Sequence, residues 1–466
     1  MTLYDGIICG GTVVLSSGSE QLDIGIRDGK IAALGENLAY SEQTPVFNAE
    51  HLTILPGMID AHVHFNEPAL GHWEGFASGS ASLAAGGCTT YLDMPLNGVP
   101  PTVRLSALKL KLEAAAGKSH VDYALWGGLV PGNIGQLEEL AQAGVIGFKA
   151  FMSCPGGEGE DIFREVDDET LLQGMKEIAR LGLVLALHAE SEEIVSRLAA
   201  EAAHQGKRSA VDFIATRPIA AEVEAVERAL RYAEQTGCKL HFVHISSAEA
   251  VKVITEAKAN GLDVTVETCP HYLALTSEDV ARLGPVAKCA PPIRSAADQA
   301  RLWEELAAGR FDLIASDHSP SPAAMKQGDF FEAWGGISGA QSSLELMLDE
   351  GYLRRGIPLT QLAAMLSLAP AKRFGLYPRK GEIALGADAD LALVDLAGGY
   401  TLQASDLLYR HPQSPYVGRT FGCSVKATFL RGVKVYERGG GVSHAAEGAW
   451  IRHRASIGGG LDGEDE

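Results

Sequence analysis

Two histidines stand two positions apart in Ile59-Asp60-Ala61-His62-Val63-His64. On a strand, positions i and i+2 point to one face, so both imidazoles enter the same space. His188 follows the apolar run 183–187, His244 follows 240–243 and Asp317 follows 313–316. Lys149 is the single charge in Gly147-Phe148-Lys149-Ala150-Phe151. Four imidazoles and a carboxylate suit a borderline divalent ion, zinc first among them, with cobalt, manganese or iron as other first-row choices. They are too many for one tetrahedral site that keeps a water position. Two metals fit the count better, and such a pair activates water and polarises a carbonyl. An ammonium beside two dications would be repelled. A neutral Lys149 can instead add CO2, and the carbamate has two oxygens with which to bridge both ions. Each residue alone has a plainer reading: a lone histidine near a strand end is most often structural, and a lysine in an apolar strand can snorkel to the surface. Their recurrence at strand ends is what favours chemistry.

The elements that would position these residues are short apolar runs alternating with amphipathic stretches, the texture of βα units. Eight candidate strands cover residues 53–64, 89–94, 122–126, 147–151, 183–188, 239–244, 263–268 and 312–317, with helices such as 168–181 and 221–236 between them. Eight such units predict a (β/α)8 barrel, in which polar residues at the C-terminal strand ends are the catalytic ones. The first 50 residues and those after 380 read as short strands with glycine turns. Asp28-Gly29 is a hairpin signal, and Arg431-Gly432 marks a second turn. The expectation is an α/β chain: a barrel over 53–379, a small β-sandwich domain from 1–52 and 380–450, and a tail over 451–466.

Composition narrows the partners. The chain has 466 residues, 46% of them hydrophobic, and a formal net charge of −20. Such a field repels phosphate backbones and anionic membrane surfaces, so neither nucleic acid nor membrane is an expected partner. No run approaches the roughly 20 apolar residues of a membrane span. The opening residues lack a basic stretch followed by an apolar one, so no secretory signal is read. The seven cysteines form no CxxC pair; free thiols in a reducing cytoplasm are the expectation. The end Gly463-Glu464-Asp465-Glu466 reads as a solvated tail.

From about residue 5 to about 450 the pattern resembles the amidohydrolase superfamily, in its branch of hydantoinases, dihydroorotases and allantoinases. The likeness includes the opening Leu55-Pro56-Gly57-Met58-Ile59-Asp60-Ala61-His62-Val63-His64. It implies that His62 and His64 hold one metal and His188 and His244 the other. Lys149, as N6-carboxylysine, would bridge them. Asp317 would bind the first metal and move the proton while a hydroxide between the metals attacks a ring amide.

Several stretches resemble the allantoinases within that branch: His72-Trp73-Glu74-Gly75-Phe76, Asp93-Met94-Pro95-Leu96-Asn97, Lys288-Cys289-Ala290-Pro291-Pro292-Ile293-Arg294, Ser316-Asp317-His318-Ser319-Pro320, Ala333-Trp334-Gly335-Gly336-Ile337, and Tyr409-Arg410-His411 with Ser414-Pro415-Tyr416-Val417-Gly418. The resemblance implies allantoin as a small-molecule substrate, held by Asn97, Ser319 and the backbone of Ala290 and Gly335. His271 and His318 are read as supporting residues. A homotetramer is implied by the same likeness. Three positions depart from relatives. Asn66 stands where dihydroorotases place an arginine for a substrate carboxylate, which disfavours a carboxylated ring. Cys154 stands where hydantoinases carry a tyrosine, and a thiol is a poor donor. Ala69-Leu70 replaces a common Gly-Arg. The competing readings are a hydantoinase or dihydropyrimidinase, and a non-catalytic scaffold on the same fold.

Overall fold

Both dipeptides that promise turns adopt the conformation a tight hairpin needs. Asp28 and Gly29 have φ of 51° and 72°; Arg431 and Gly432 have 46° and 77°. Positive φ at both central residues matches the right-handed twist of the flanking strands. The first turn joins Gly18–Arg27 to Lys30–Gly35, and the second joins Ser424–Leu430 to Val433–Glu437. These come from a computed structural model, which describes residues 4–453 apart from 158, 160 and 446. The acidic end and most of the expected 451–466 tail lie outside the described residues.

The two chain ends meet at the strand Thr53–Pro56. It pairs in parallel with Gly6–Leu15 and antiparallel with Leu391–Asp395. It therefore lies within a nine-stranded sheet built from both ends of the chain. Ile8, Val13, Ile54, Leu391, Leu393 and Phe429 share a hydrophobic core of that sheet. This corrects the single strand expected over 53–64. The run divides at Gly57, whose N–H donates to the Asp390 carbonyl at 2.9 Å. A Cβ at Gly57 would lie 2.2 Å from the Thr89 hydroxyl. Thr53–Pro56 stays in the small sheet, and Met58–Val63 starts the barrel.

The barrel strands follow in order: Met58–Val63, Cys88–Asp93, Asp122–Leu125 extended by Gly127–Gly128, Phe148–Phe151, Val184–His188, Lys239–Phe242, Val264–Thr268 and Leu313–Ile314. Each pairs in parallel with the next. The ring closes where Val63 bridges His318 in parallel and the His64 N–H donates to the His318 carbonyl at 2.8 Å. The eighth strand is shorter than the expected 312–317. Part of the reason is a side chain: Asp60 Oδ1 takes the Ser316 N–H at 3.0 Å. The fold is thus the expected (β/α)8 barrel with a small β-domain.

Helices cover the barrel where the periodicity places them. Asp168–Leu181 buries Leu171, Gly174, Met175 and Ile178, a stripe at helical spacing. The Asp167 carboxylate caps its start by accepting the Thr170 N–H, and Gly182 ends it with φ of 72°. Ile219–Thr236 begins two residues ahead of the expected 221, directly after Pro218. Among the described residues no helix is long and apolar enough to cross a membrane.

Candidate metal centre

The barrel brings the six singled-out residues to one rim. His62 lies on the first strand and His64 just past its end, while His188 ends the fifth. His244 lies two residues past the sixth strand with φ of 40°, and Asp317 three past the eighth with φ of 45°. Left-handed backbone is uncommon for residues with a Cβ and gathers at functional sites. Asp317 Oδ1 lies 3.2 Å from His62 Nε2 and 3.2 Å from His64 Nε2. Those two nitrogens are 3.3 Å apart. His188 Nδ1 lies 3.1 Å from His244 Nε2. The ligand atoms of His62, His244 and Asp317 all fall within 4.8 Å of one another.

A second layer of acceptors decides which ring nitrogens keep lone pairs. His62 Nδ1 lies 3.0 Å from Glu267 Oε1, His64 Nδ1 3.1 Å from the Leu96 carbonyl, and His188 Nε2 2.8 Å from Glu190 Oε2. Carbonyls and carboxylates accept, so each of these nitrogens carries the proton. The opposite nitrogens, His62 Nε2, His64 Nε2 and His188 Nδ1, then turn lone pairs inward. Burial pushes the His62 and His188 pKa values down and that of His244 well down, which opposes a second proton on each ring. Three imidazole lone pairs and the Asp317 carboxylate thus converge, with only the His244 ring, whose Nδ1 has no hydrogen-bond partner among the described residues, free to place a proton on the Nε2 that faces His188; such a gathering of acceptors suits cations.

Lys149 sits among them, fully buried, its Nζ without a hydrogen-bond partner among the described residues and 4.9 Å above the Phe151 ring. Burial pulls its ammonium down to about 7, against the pull of Asp317 and Glu267. A lysine that is readily neutral is one that can be a nucleophile toward CO2. Burial raises the Asp317 pKa, yet the surrounding imidazoles hold it well below the usual range. Glu267 is likewise held at about 2: burial opposes ionisation, and hydrogen bonds from His241 and His62 outweigh it.

Above the rim lies a cavity of about 480 Å³, lined by His62, His64, His188, His244 and Asp317. Asn97, Ala290, Ser319 and Gly335 line it too, as does Cys154. Asn66 is not among its lining residues; it is fully buried and bonds to Asn97 and to the Pro320 carbonyl. The wall is not free of cations, for Arg217 and Lys288 also line it. Both have protein acceptors: Arg217 donates to Glu190 Oε2 at 2.6 Å, and Lys288 donates to the Ala333 carbonyl at 2.5 Å. His318 is structural, its ring accepting the Gly339 N–H at 3.2 Å. His271 is buried and is not among the cavity's lining residues, yet its ring lies within electrostatic reach of His62, Glu267 and Asp317. Ala69 takes φ of 64°, where a glycine would rest without strain. Its loop carries Trp73, which meets Trp334 edge-on at 5.1 Å across the mouth.

The sequence reading passed over Glu267, Glu190, Arg217 and Asp60. Glu267 had the same signal as Lys149, a single charge in an apolar strand. Asp60 lay two positions before His62, on the same strand face.

Residues 53–435 match the Amidohydrolase family. The chain is 50% identical over 453 residues to an allantoinase of Rubrobacter xylanophilus, covering 97% of this chain and 98% of that one. It is 50% identical over 437 residues to an allantoinase of Deinococcus radiodurans, covering 93% and 96%. Among solved structures it superimposes on the L-hydantoinase (dihydropyrimidinase) of Arthrobacter aurescens with a TM-score of 0.93 at 35% identity, over 97% of this chain and 100% of that one.

Proposed function

The chain belongs to the amidohydrolase family, and from that premise we propose that it hydrolyses the ring amide of allantoin to give allantoate. The observation that carries the substrate is identity of 50%, over nearly the whole chain, to proteins named allantoinase. The hydantoinase likeness, at 35% identity, supports a hydantoin-type ring as the second reading. The family and the converging lone pairs support divalent ions at the rim. In the proposed assignment His62, His64 and Asp317 would hold one, His188 and His244 the other, and Lys149, as N6-carboxylysine, would supply an anionic ligand shared by both, with zinc as the metal and CO2 as the source of the carbamate.

Such a pair lowers the pKa of water toward neutrality and polarises the ring carbonyl. Asp317 enters the reaction ionised, as a base must. It takes the proton given up by the attacking water and passes it to the leaving ring nitrogen. Glu267, Glu190 and the Leu96 carbonyl keep the histidine rings in the tautomers that face inward. Asn97, Ser319 and the backbone of Ala290 and Gly335 orient a neutral ring by hydrogen bonds.

The proposed assembly is a homotetramer, as the family resemblance implies. A cytoplasmic location suits the seven free cysteines, five of them buried. The proposed division is a barrel over 53–379 and a small domain from 1–52 and 380–450.

Steady-state assays with one metal loading and bicarbonate, on allantoin, hydantoin, dihydrouracil and dihydroorotate, test the substrate. Allantoin is expected to have the highest kcat/KM. A site built on hydrogen bonds to the ureido arm rejects rings lacking it by up to about 10⁴-fold. Equal or better turnover of hydantoin would move the assignment to a hydantoinase.

A further inference from the structure

Asn66 lies beneath the cavity floor, fully buried, with φ of 65°. Its side chain spans two partners. Nδ2 donates to the Pro320 carbonyl at 3.3 Å. A carbonyl only accepts, so this end of the amide must be the nitrogen. The oxygen end is thereby turned toward Asn97. Asn66 Oδ1 accepts from Asn97 Nδ2 at 3.1 Å and more loosely from the Asn97 N–H at 3.5 Å. That in turn fixes the second amide: the Asn97 nitrogen is committed downward. Asn97 Oδ1 has no hydrogen-bond partner among the described residues, and Asn97 lines the cavity.

We propose that Asn66 is a specificity-positioning residue: it locks the Asn97 amide so that a hydrogen-bond acceptor, not a donor, faces the bound ring. The inference rests on the reading that Asn97 lies against the substrate. An acceptor there pairs with an N–H of a ureide. It faces a ring carboxylate as oxygen against oxygen, which excludes that ligand by repulsion and by desolvation. Discrimination against carboxylated rings then comes from a fixed amide as well as from the missing arginine. The backbone supports the choice of residue, since asparagine tolerates left-handed φ better than most side chains.

The test compares Asn66→Gly with Asn66→Asp, both compatible with the backbone at this position. Glycine removes the clamp and frees the Asn97 amide to rotate. Aspartate keeps an acceptor beneath Asn97 but loses the donor to the Pro320 carbonyl and adds a negative charge, so its dihydroorotate constant is read against that of the uncharged ring dihydrouracil. Read-outs are KM and kcat for allantoin, the inhibition constant of dihydroorotate as a carboxylated probe, and metal per chain. Asn66→Gly is expected to raise the allantoin KM about tenfold with a smaller change in kcat, and to tighten dihydroorotate about tenfold, the size of one neutral hydrogen bond. Asn66→Asp is expected to hold the allantoin KM within about threefold and to gain no dihydroorotate binding. If the glycine variant does not fold, Asn66→Ser, too short to span both partners, takes its place. The proposal is overturned if the glycine variant shifts both ligands in one direction or neither, or if aspartate gains the carboxylate as glycine does. Failure of the substrate reading shows separately, as absent allantoin turnover by the unaltered enzyme; the same comparison is then read on the neutral ring it turns over best.

Discussion

Two lysines of this chain are equally hidden and opposite in kind. Lys380 is 2% exposed and Lys149 0%. Lys380 Nζ lies 2.5 Å from Asp390, 2.8 Å from Asp122 and 3.3 Å from Asp388. Burial disfavours its charge, but the three carboxylates outweigh that and lift its pKa above the ordinary value. Lys149 has no hydrogen-bond partner among the described residues, and burial takes it down to about 7. The carboxylate oxygens around Lys380, like the ligand atoms of His62, His244 and Asp317, all lie within 4.8 Å of one another. The lower cluster already contains its own cation, and Lys380 ties the third barrel strand to the small domain. The rim cluster gathers lone pairs around a lysine that is readily neutral. Counting ligands does not separate a structural cluster from a metal site; asking where the balancing charge comes from does.

The largest expected effect separates the two lysines by activity. Lys149→Ala should lose metal and at least about 10³-fold in kcat/KM, the scale of a lost metal contribution to the barrier. A short carboxylic acid added to the assay should restore part of both. Lys380→Met should leave kcat per folded molecule near that of the unaltered enzyme. Equal losses in the two variants would break the distinction.

Stability should separate them in the opposite sense. Lys380→Met removes the cation shared by three buried carboxylates, leaving Asp122 with Arg431 and Asp388 with Arg379 but Asp390 with no side-chain cation among the described residues, and should cost about 3–5 kcal/mol, read by urea unfolding. Lys149→Met should stabilise the metal-free protein at neutral pH by a few kcal/mol, because a lysine whose pKa falls from 10.5 to about 7 is held at a cost to the fold. The unfolded chain keeps that proton up to about 10.5 and the folded chain releases it near 7. The unfolded state therefore binds more protons across that window, and the metal-free protein should gain stability as pH rises through it. The advantage of Lys149→Met should be full below about pH 7 and fade toward 10.5. A destabilised Lys149→Met at pH 7 would contradict the reading of this site.

These contrasts also explain what the sequence could and could not reveal. His62, His64, His188, His244, Asp317 and Lys149 were legible because each breaks or ends an apolar run, and a barrel sends such positions to one rim. Glu190 and Arg217 were not, since one lies beyond a strand and the other on a loop joined to it only in space. Lys380 carries no pattern of its own, because its partners Asp122 and Asp390 are distant in the chain. The run 53–64 looked like one strand because the signal that divides it is Gly57 packing against Thr89, a contact made by folding. Turns were the easiest features: Asp28-Gly29 and Arg431-Gly432 state their backbone locally.

A smaller effect sharpens the lower cluster. Arg379 donates to Asp388 at 2.8 Å, but its side chain is 52% exposed. Arg379→Ala should therefore cost less than about 1 kcal/mol. A loss as large as that of Lys380→Met would place the balancing charge on the wrong residue.

The central claim is that the rim is built around two cations with Lys149 between them. It is tested most directly by titrating metal-free protein with zinc in the presence of bicarbonate and counting ions per chain by elemental analysis. Two per chain are expected in the unaltered protein, with the pair lost in Lys149→Ala. A single tightly held ion, or two that persist in Lys149→Ala, would contradict it.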